Sequence, residues 1–454
     1  MAVQFELTKR YIEELKDLIQ AGEEKKVLQL IGDLHAADIA EIYDEINIGE
    51  AKFLFLLLDG EMAADVLAEL DEDDREKFLK VLPSDVIARQ FIEKMDSDDA
   101  ADVIADLSEK RKEEVLLHID DVDQAGEIVE LLAYDEDTAG GLMAKELIKV
   151  NENWTILTCL KEMSKQAAGV DEVYYVYVVD DNDILKGTVS LKRMLLSQNR
   201  SKIMDISNAD VISVKTNTPS EEVANIMKKY DLVALPVIDS IGRLLGRITI
   251  DDVVDIIKEE AEKDYQMASG ISEDVESTDN VWILTRARIP WLLIGLLGGV
   301  LVAKVIGLYE IDLGMYPEMA FFIPLIAAMG GNVGVQSSAI IVQGLANNTL
   351  GIESTFTKLM KELTVAGING ITLAGLIFLY NVLATDSFAL TLTVSIALFS
   401  VIIFASFFGT FIPLLLNRIK VDPALATGPF ITTLNDIMGL FIYLMIGRIL
   451  YGVF

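Results

Sequence analysis

One carboxylate stands inside an apolar stretch near the C-terminus: Asp436, in the run from 425 to 453. A helix starting near Asp422 would carry it 14 residues, about 21 Å, into a hydrocarbon layer. Because burying a charge there is costly, such an acid indicates function. Thr432, one turn earlier on the same face, adds a hydroxyl oxygen, and Pro429 would free a backbone carbonyl. Oxygen ligands of this kind favour a path for a hard cation over a structural helix–helix hydrogen bond.

A second polar segment, MGGNVGVQSS at 329–338, interrupts another apolar stretch. A helix there would carry Asn332 and Gln336, paired glycines and two serines on closely packed faces. Such residues line pores, and they equally hold membrane helices together. Both interpretations stay open from the sequence.

Apolar stretches that could cross a membrane fill the region 281–454. Five of them reach the roughly 20 residues that a bilayer core requires: 289–309, 319–345, 364–384, 387–417 and 425–453. Basic and acidic residues fall in alternate loops, with Arg286, Lys358 and Arg418 on one side and Glu310 and Asp386 on the other. The positive-inside rule predicts a multi-pass protein of the cytoplasmic (inner) membrane, with its N-terminus in the cytosol and its C-terminus outside.

Two different sequence patterns precede this region. Up to about residue 132 the apolar residues follow a helical pattern. Within it, AADIAEI at 36–42 recurs as AADVLAEL at 63–70 and AADVIADL at 100–107. This repeat predicts stacked helical hairpins in a superhelical domain at 1–132. Between 133 and 250, YVVDDNDILKGTVSLKRM matches PVIDSIGRLLGRITIDDV, which predicts two copies of one β-α-β-β-α unit. An acidic helix to about Ala268 and a linker complete 251–280 before the five-helix membrane domain at 281–454.

The charge is confined to one part of the chain. Eight acidic and eight basic residues cancel from Thr285 onward, so the first 284 residues carry the whole net charge of −34. Such a region repels nucleic acid and concentrates cations. Acidity also serves solubility alone, and the sequence does not decide between the two roles.

Several functional classes are excluded by what the sequence lacks. A single cysteine, Cys159, rules out an intramolecular disulfide framework, and two histidines, His35 and His118, rule out a histidine-rich metal site. Neither a Walker loop nor a Gly-x-Ser-x-Gly elbow is present. We therefore expect neither enzymatic activity nor ATP-driven pumping.

These motifs together resemble the MgtE family of magnesium channels over essentially the full length. The resemblance rests on the acidic helical repeats, on a pair of cystathionine-β-synthase-type (CBS) domains with KYDLVALPVIDS and TIDDVVDIIKEEAEKD, and on GGNVGVQSS and DPALATGPFITTLNDIMGL. It implies a homodimeric, magnesium-selective channel whose pore lies on the two-fold axis between the second and fifth membrane helices. It also implies that cytosolic magnesium closes the pore.

The resemblance assigns roles to particular residues. Asp436 would hold hydrated magnesium in the pore with Asn332 near it, and Thr432 completes the predicted pore set. The segment 251–268 corresponds to an acidic connecting helix called the plug. The predicted cytosolic magnesium ligands are Asp98, Asp102, Asp239, Asp252, Asp255, Glu260 and Asp264.

Two departures from the family pattern bear on these roles. Lys263 interrupts the acidic run of the plug. Arg193 stands where nucleotide-binding CBS copies often carry an aspartate, whereas Asp252 fills that place in the second copy. ATP binding at the CBS pair is therefore an open possibility.

Two other functions remain in competition. A secondary transporter would exchange a divalent cation for protons or sodium with Asp436 as the titrating group, and its flux would follow an imposed gradient. A membrane-anchored sensor would bind adenine nucleotide at its CBS pair, but an anchor does not need an intramembrane Asp436.

Overall fold

The computed structural model describes residues 7–453 except 168–169, 171–172, 273–274, 276–278, 347–354 and 427. The chain divides into two compact units, Met1–Ile257 and Lys258–Phe454. The predicted fold class, a helical domain, a CBS pair and five apolar helices, is confirmed. The boundaries at 132, 250 and 280 stay a prediction.

The first unit begins with ten α-helices that share one hydrophobic core. They are α1 (Lys9–Gln20), α2 (Glu24–Ile31), α3 (Ala36–Tyr43), α4 (Ile48–Leu57), α5 (Gly60–Ala68), α6 (Glu72–Lys80), α7 (Ser84–Val86), α8 (Ser97–Ala105), α9 (Glu109–Leu116) and α10 (Val122–Leu131), with a π-helical turn at Ile87–Phe91 and a 3-10 turn at Ile92–Lys94 before α8.

The repeated AAD motif falls on α3, α5 and α8, and its function is packing. Its first alanine and the branched residue three positions later are buried each time, as in the pairs Ala63 with Val66 and Ala100 with Val103. Residues three apart lie on the same face of a helix, so each repeat contributes one apolar stripe to the core.

Two small sheets of the same design follow. The first contains β1 (Ile148–Asn151), α11 (Ile156–Gln166), β2 (Val176–Val179), β3 (Leu185–Val189) and α12 (Leu191–Leu195); after α13 (Ile203–Ile206), the second contains β4 (Val214–Lys215), α14 (Ser220–Tyr230), β5 (Ala234–Ile238) and β6 (Leu244–Thr249). In both sheets the first two strands are parallel and the last two antiparallel, with an irregularity near the end of the middle strand. The predicted internal repeat is confirmed.

A single acidic helix, α15 (Ile250–Ala268), follows the second sheet and crosses the boundary between the two units. Its start is held by Asp252, whose carboxylate accepts hydrogen bonds from the Thr249 backbone N–H at 3.1 Å and hydroxyl at 2.8 Å. Gly270, with a φ of 82°, follows its end in a left-handed conformation that favours glycine.

The second unit contains five helices that are long and apolar enough to cross a membrane. Its helices are α16 (Val281–Leu308), α17 (Glu310–Met315), α18 (Ile323–Ala346) after a 3-10 turn at Pro317–Phe322, α19 (Thr355–Ala384), α20 (Phe388–Arg418) and α21 (Pro429–Val453) after a 3-10 turn at Pro423–Ala426. In its most apolar window, α20 is 56% buried and α16 is 6% buried, so α20 forms the centre of the unit and α16 its edge.

One expectation about α21 is wrong. The helix begins at Pro429 rather than near Asp422, so Asp436 lies seven residues, about 10 Å, from its start. Proline at the first helical position removes an N–H that would have no partner within the helix, so it frees no carbonyl there. Gly428, with a φ of 56°, makes the turn into the helix.

Glycines on α18 allow α21 to approach closely. A Cβ on Gly334 would clash with the Asn435 side chain of α21, and a Cβ on Gly331 would lie 3.3 Å from Thr432 Cγ2 of the same helix. Gly334 and Gly331, one of the two adjacent glycines, therefore serve helix packing, as one of the two interpretations of the motif requires.

Gly334→Ala is expected to destabilise the second unit by about 1–3 kcal/mol, because the added methyl group has no space between α18 and α21. Thermal unfolding in detergent measures this effect. Gly375→Ala on α19 is the matched control, since nothing lies within 4 Å of its Cβ position. Equal melting temperatures for the two variants would contradict the assigned packing.

Candidate functional site

A cavity of about 470 Å³ lies between α18 and α21 in the second unit. It brings together all three predicted pore residues, Asn332, Thr432 and Asp436. The full lining is Ala327, Ala328, Gly331, Asn332, Val335, Gln336, Thr432 and Asp436. Gln336 belongs to the polar motif but was not among the predicted pore residues, although its position one turn after Asn332 would have indicated it.

The two helices present their polar groups as pairs. Gly330 contacts Asn435, whereas Gly334 contacts both Asn435 and Ile431, so α18 and α21 run in opposite directions. Asn332 with Gln336 on α18, and Thr432 with Asp436 on α21, are each four residues apart and share a face. The cavity therefore has amide, hydroxyl and carboxylate oxygens at two positions along the helix axes, one helical turn apart.

The carboxylate of Asp436 is available to a ligand. Among the residues that the structure describes, it has no hydrogen-bond or ion-pair partner. A Cβ on Gly331 would stand 3.8 Å from Asp436 Oδ1 and 3.3 Å from Thr432 Cγ2, so the glycine leaves the space beside the acid open. The Thr432 hydroxyl donates to the Gly428 carbonyl at 3.0 Å, which leaves its oxygen lone pairs to accept.

Amide groups of α18 are not covered within one chain. Asn332 and Gln336 are both exposed, although they lie midway along a helix of strongly apolar composition. In a bilayer, such groups face a water-filled cavity or other protein rather than lipid.

A second concentration of acids lies in the first unit, where α8 meets the start of α15. Burial and the nearby carboxylates of Asp99 and Asp252 raise the pKa of Asp98 well above its usual range. Desolvation by the surrounding protein and the charge of Asp252 raise the pKa of Asp99 to about 7, and desolvation raises that of Asp102 to about 6 against the opposing effect of Arg75, although both residues keep an exposed surface. The structure thus brings together three of the predicted magnesium ligands, Asp98, Asp102 and Asp252. Their role as ligands stays a prediction.

Three members of this concentration, Asp96, Asp99 and Glu146, were missed from the sequence. Carboxylate oxygens of Asp96, Asp98 and Glu146 all lie within 4.8 Å of one another. Ser97 orients Glu146 by donating from its backbone N–H at 3.1 Å and its hydroxyl at 2.8 Å. Glu146 lies 49 residues from Ser97 in the chain, and no local pattern signals such a contact.

Comparison with known proteins shows which family this chain is similar to. A family profile described as a divalent cation transporter, MgtE, matches residues 323–446; the MgtE intracellular N domain matches 34–137 and the CBS domain matches 139–198 and 203–259. The chain is 36% identical to the magnesium transporter MgtE of Thermus thermophilus over 71% of its own length and 72% of that protein. The chain belongs to the MgtE family.

Other relatives of this MgtE-family chain support the same family assignment. It is 35% identical to the magnesium transporter MgtE of Enterococcus faecalis over 71% of each chain. The chain is also similar to a solved structure, the crystal structure of the cytosolic domain of the Mg²⁺ channel MgtE in complex with ATP. The two chains are 32% identical in sequence, with a TM-score of 0.51, and the match covers 54% of this chain and 99% of that one. The matched family members are named as transporters and channels, which fits the expectation that this chain is not an enzyme.

Of the remaining predicted ligands of the MgtE-family chain, Asp239 and Asp255 belong to the first unit and Glu260 and Asp264 to the second. Asp239 closes the β5–β6 turn, accepting from the Ile241 and Arg243 backbone N–H groups at 2.9 Å and from the Arg243 side chain at 2.7 Å. These bonds lower its pKa. Asp180 makes the same backbone pattern in the first CBS copy. The role of Asp239 as a magnesium ligand stays a prediction.

The other three predicted ligands lie along α15. Asp255 is exposed, and Asp264 is partly exposed. Glu260 approaches Lys263 to 3.7 Å, so the lysine that interrupts the acidic run compensates one carboxylate of it. These three also remain predictions as metal ligands.

The acids where α8 meets the start of α15 predict an unusual pH dependence of the thermal stability. Since the folded pKa of Asp99 is raised from 3.8 to about 7, the stability associated with its protonation is present below 3.8 and is lost as pH rises through about 7. Without magnesium, we expect the melting temperature of the full chain's first transition to fall between about pH 4 and pH 7. Millimolar Mg²⁺ should remove most of that fall, because the ion replaces the protons.

Asp99→Asn is the matched variant for this test, since it keeps the shape and removes the titration. The melting temperature of Asp99→Asn should depend less on pH than that of the wild type. An unchanged pH profile in the variant would show that the cluster does not control the transition.

Proposed function

We propose that this chain carries Mg²⁺ across the cytoplasmic membrane through a pathway lined by α18 and α21. The observation that carries the proposal is the cavity in which an intramembrane carboxylate, Asp436, faces amide and hydroxyl oxygens without a protein partner. An acid in that setting is stabilised by a cation, and oxygen ligands suit hard divalent ions. Relatives named as magnesium transporters support the choice of ion.

The set of side chains favours a hydrated ion. Mg²⁺ gives up its waters reluctantly and requires octahedral oxygen geometry. One carboxylate with neutral oxygens at Asn332, Gln336 and Thr432 can accept hydrogen bonds from bound waters, but it offers too few direct ligands for a bare ion. Selection through the water shell is therefore the mode of binding that we propose.

We further propose that the working unit is a homodimer with the pathway on its two-fold axis. Exposed Asn332 and Gln336 support this, because a second copy would cover them and supply a second Asp436. The first CBS copy also exposes large apolar side chains, Leu195 at 75% and Leu196 at 80%, as an interface surface would. The N-terminus is proposed to face the cytosol, following the loop charges.

The dimer is expected to appear as a particle of twice the 50.1 kDa chain mass in detergent, once bound detergent is subtracted from the light-scattering signal. Two-fold symmetry doubles each pore group, which a hydrated ion needs for charge compensation. A monomeric mass accompanied by full transport activity would contradict the arrangement.

We propose that cytosolic Mg²⁺ closes the pathway by binding the acidic residues of α8 and α15. The support is the raised pKa of Asp98, Asp102 and Asp252, since carboxylates that are costly to ionise together are stabilised by a bridging cation. Only a ligand that binds the closed state more tightly shifts the population toward it.

A nucleotide is a second proposed regulator. One solved relative of the cytosolic part was crystallised with ATP, and Asp252 hydrogen-bonds Thr249 at the start of the helix after the second CBS sheet. Calorimetric titration of ATP into the purified full chain tests it. No heat of binding at millimolar ATP would remove the proposal and leave Mg²⁺ as the regulator.

The function is tested by Mg²⁺ uptake into liposomes that contain only this protein. We expect uptake that follows the Mg²⁺ gradient and the membrane potential. The alternative, a coupled transporter, predicts uptake that follows an imposed proton or sodium gradient instead. Liposomes that take up no Mg²⁺ with correctly folded protein would overturn the proposed function.

A further inference from the structure

One buried amide of the second unit has no polar partner in the fold. Asn435 lies on α21 directly before the pathway acid Asp436, and it is only 1% exposed. Within the described ranges of the chain, neither its Oδ1 nor its Nδ2 atom has a hydrogen-bond partner. An amide that is buried without a partner costs free energy, and such groups are rare in folded proteins. A functional reason for this asparagine is therefore worth seeking.

The amide is surrounded by helix backbone and aliphatic side chains. A Cβ on Gly334 of α18 would clash with the Asn435 side chain and would lie 2.8 Å from Ile431 Cγ2. A Cβ on Gly330, one turn earlier on α18, would lie 3.0 Å from Val401 of α20 and 3.8 Å from Asn435 Cβ. Backbone groups inside a helix are already paired along the helix. The amide thus lies among apolar contacts where α18, α20 and α21 meet.

Helix packing alone does not account for an asparagine at this place. Leucine has the same number of side-chain heavy atoms, and replacing an unpaired buried polar group by an apolar one is neutral or stabilising. Three buried hydroxyls of α20 show the usual solution, since Thr391, Ser395 and Thr410 each donate to the carbonyl oxygen four residues earlier. Asn435 makes no such bond in the described structure.

A modest rotation of α21 would bring this amide to the cavity. Consecutive residues of a helix are turned by about 100° around its axis, so Asn435 is one step away from the cavity residue Asp436. The contact with α18 is made at Gly330 and Gly334, so no large α18 side chain has to be passed at these two positions. The helix begins at Gly428, whose φ of 56° marks a turn that can absorb such a rotation.

We propose that α21 has a second, conducting orientation in which Asn435 faces the cavity and contacts the water shell of the ion beside Asp436. In the orientation described here, the amide is withdrawn between α18 and α20. An amide oxygen accepts hydrogen bonds from the waters that Mg²⁺ retains. The cost of leaving the amide unpaired favours the conducting orientation. This role rests on the proposed function and adds a residue to the same pathway.

Accessibility of position 435 to a water-soluble thiol reagent tests the two orientations. The buried native cysteine, Cys159, is first replaced by serine, and Asn435→Cys is then introduced into the full chain in liposomes. Without Mg²⁺, a methanethiosulfonate reagent should modify this cysteine about tenfold faster than Asn381→Cys. Asn381 on α19 is the matched control, because it is also buried and its amide is also unpaired within the described chain.

Millimolar Mg²⁺ should slow the modification of Asn435→Cys, since the ion occupies or closes the pathway. Modification no faster than that of Asn381→Cys would show that position 435 stays buried and would overturn the proposal. Fast modification that Mg²⁺ does not slow would place the residue outside the pathway, which overturns it equally.

A second measurement compares stability with transport. Asn435→Leu should melt at the wild-type temperature or above it, yet take up Mg²⁺ about tenfold more slowly, because the pathway loses one hydrogen bond to the hydrated ion. Asn381→Leu should show the same gain in stability with wild-type uptake. Asn435→Ala removes the amide without adding volume and serves if leucine does not fit beside Gly334.

The outcomes separate this inference from the proposed function. Wild-type uptake by Asn435→Leu and Asn435→Ala would overturn the role of the amide. A clear fall of the melting temperature in both variants would also overturn it, because the amide would then be a packing residue. A wild-type chain without any uptake would remove the proposed function instead, whereas the thiol test needs no uptake and decides the orientation of α21 alone.

Discussion

Asp436→Ala is expected to reduce Mg²⁺ uptake by roughly 100-fold or more. Removing the charged partner of a cation in a low-dielectric site costs about 3 kcal/mol or more, and each 1.4 kcal/mol corresponds to about tenfold in occupancy. The cavity contains no other acid among its lining residues, so nothing within the same chain replaces the lost charge. Uptake into liposomes with a fluorescent Mg²⁺ indicator measures the effect.

Two further variants separate charge from shape in this test. Asp436→Asn keeps the side-chain volume and its hydrogen-bonding oxygen, and it should lose nearly as much uptake as alanine if charge is decisive. Asp386→Ala removes an exposed acid between α19 and α20 and should transport almost normally. Normal uptake by Asp436→Ala, with an unchanged melting temperature, would exclude α21 as the lining of the pathway.

Joint replacement of Asp252 and Asp255 by asparagine is expected to keep the channel open at Mg²⁺ concentrations that close the wild type. Asparagine at 252 can still accept the hydrogen bonds from Thr249, so the start of α15 should be preserved. The charge that attracts Mg²⁺ is lost, and close carboxylate pairs contribute about 1–4 kcal/mol each. We expect the closing concentration to rise by about tenfold or more.

Currents in patches or planar bilayers measure that concentration, and protease protection of the 130–280 region is recorded under the same conditions. Asp33→Asn, which removes an exposed acid between α2 and α3, is the control and should close normally. If the double variant closes at the wild-type concentration, solubility is the sole role of those two acids.

The sequence predicted the architecture because its signals are local and repeated. Hydrophobic length marks the five membrane helices, and the alternation of β-branched runs marks both CBS sheets. The start of α21 was misplaced because the apolar composition of 425–428 conceals a 3-10 turn and a left-handed Gly428. Length and hydropathy alone do not distinguish such a turn from a helix.

The sites were predictable to different degrees. Asp436 is visible because a charge in an apolar run is rare, whereas Glu146 joins Asp96 and Asp98 only through tertiary packing. For Asp239, the Asp-Ser-Ile-Gly sequence offered a turn signal, since an aspartate that begins a tight turn accepts from the backbone two residues on. Abundant acids made the ligand interpretation easy and concealed this local role.

The uncovered amides of α18 have a genetic consequence. If two copies complete one pathway, a cell that makes both the normal chain and an Asp436→Ala chain will assemble mixed pairs with a single carboxylate. The defective allele should then act in a dominant-negative manner, reducing magnesium-dependent growth by more than its share of the total protein. An allele that fails only in folding would be recessive, because its product never joins a normal partner.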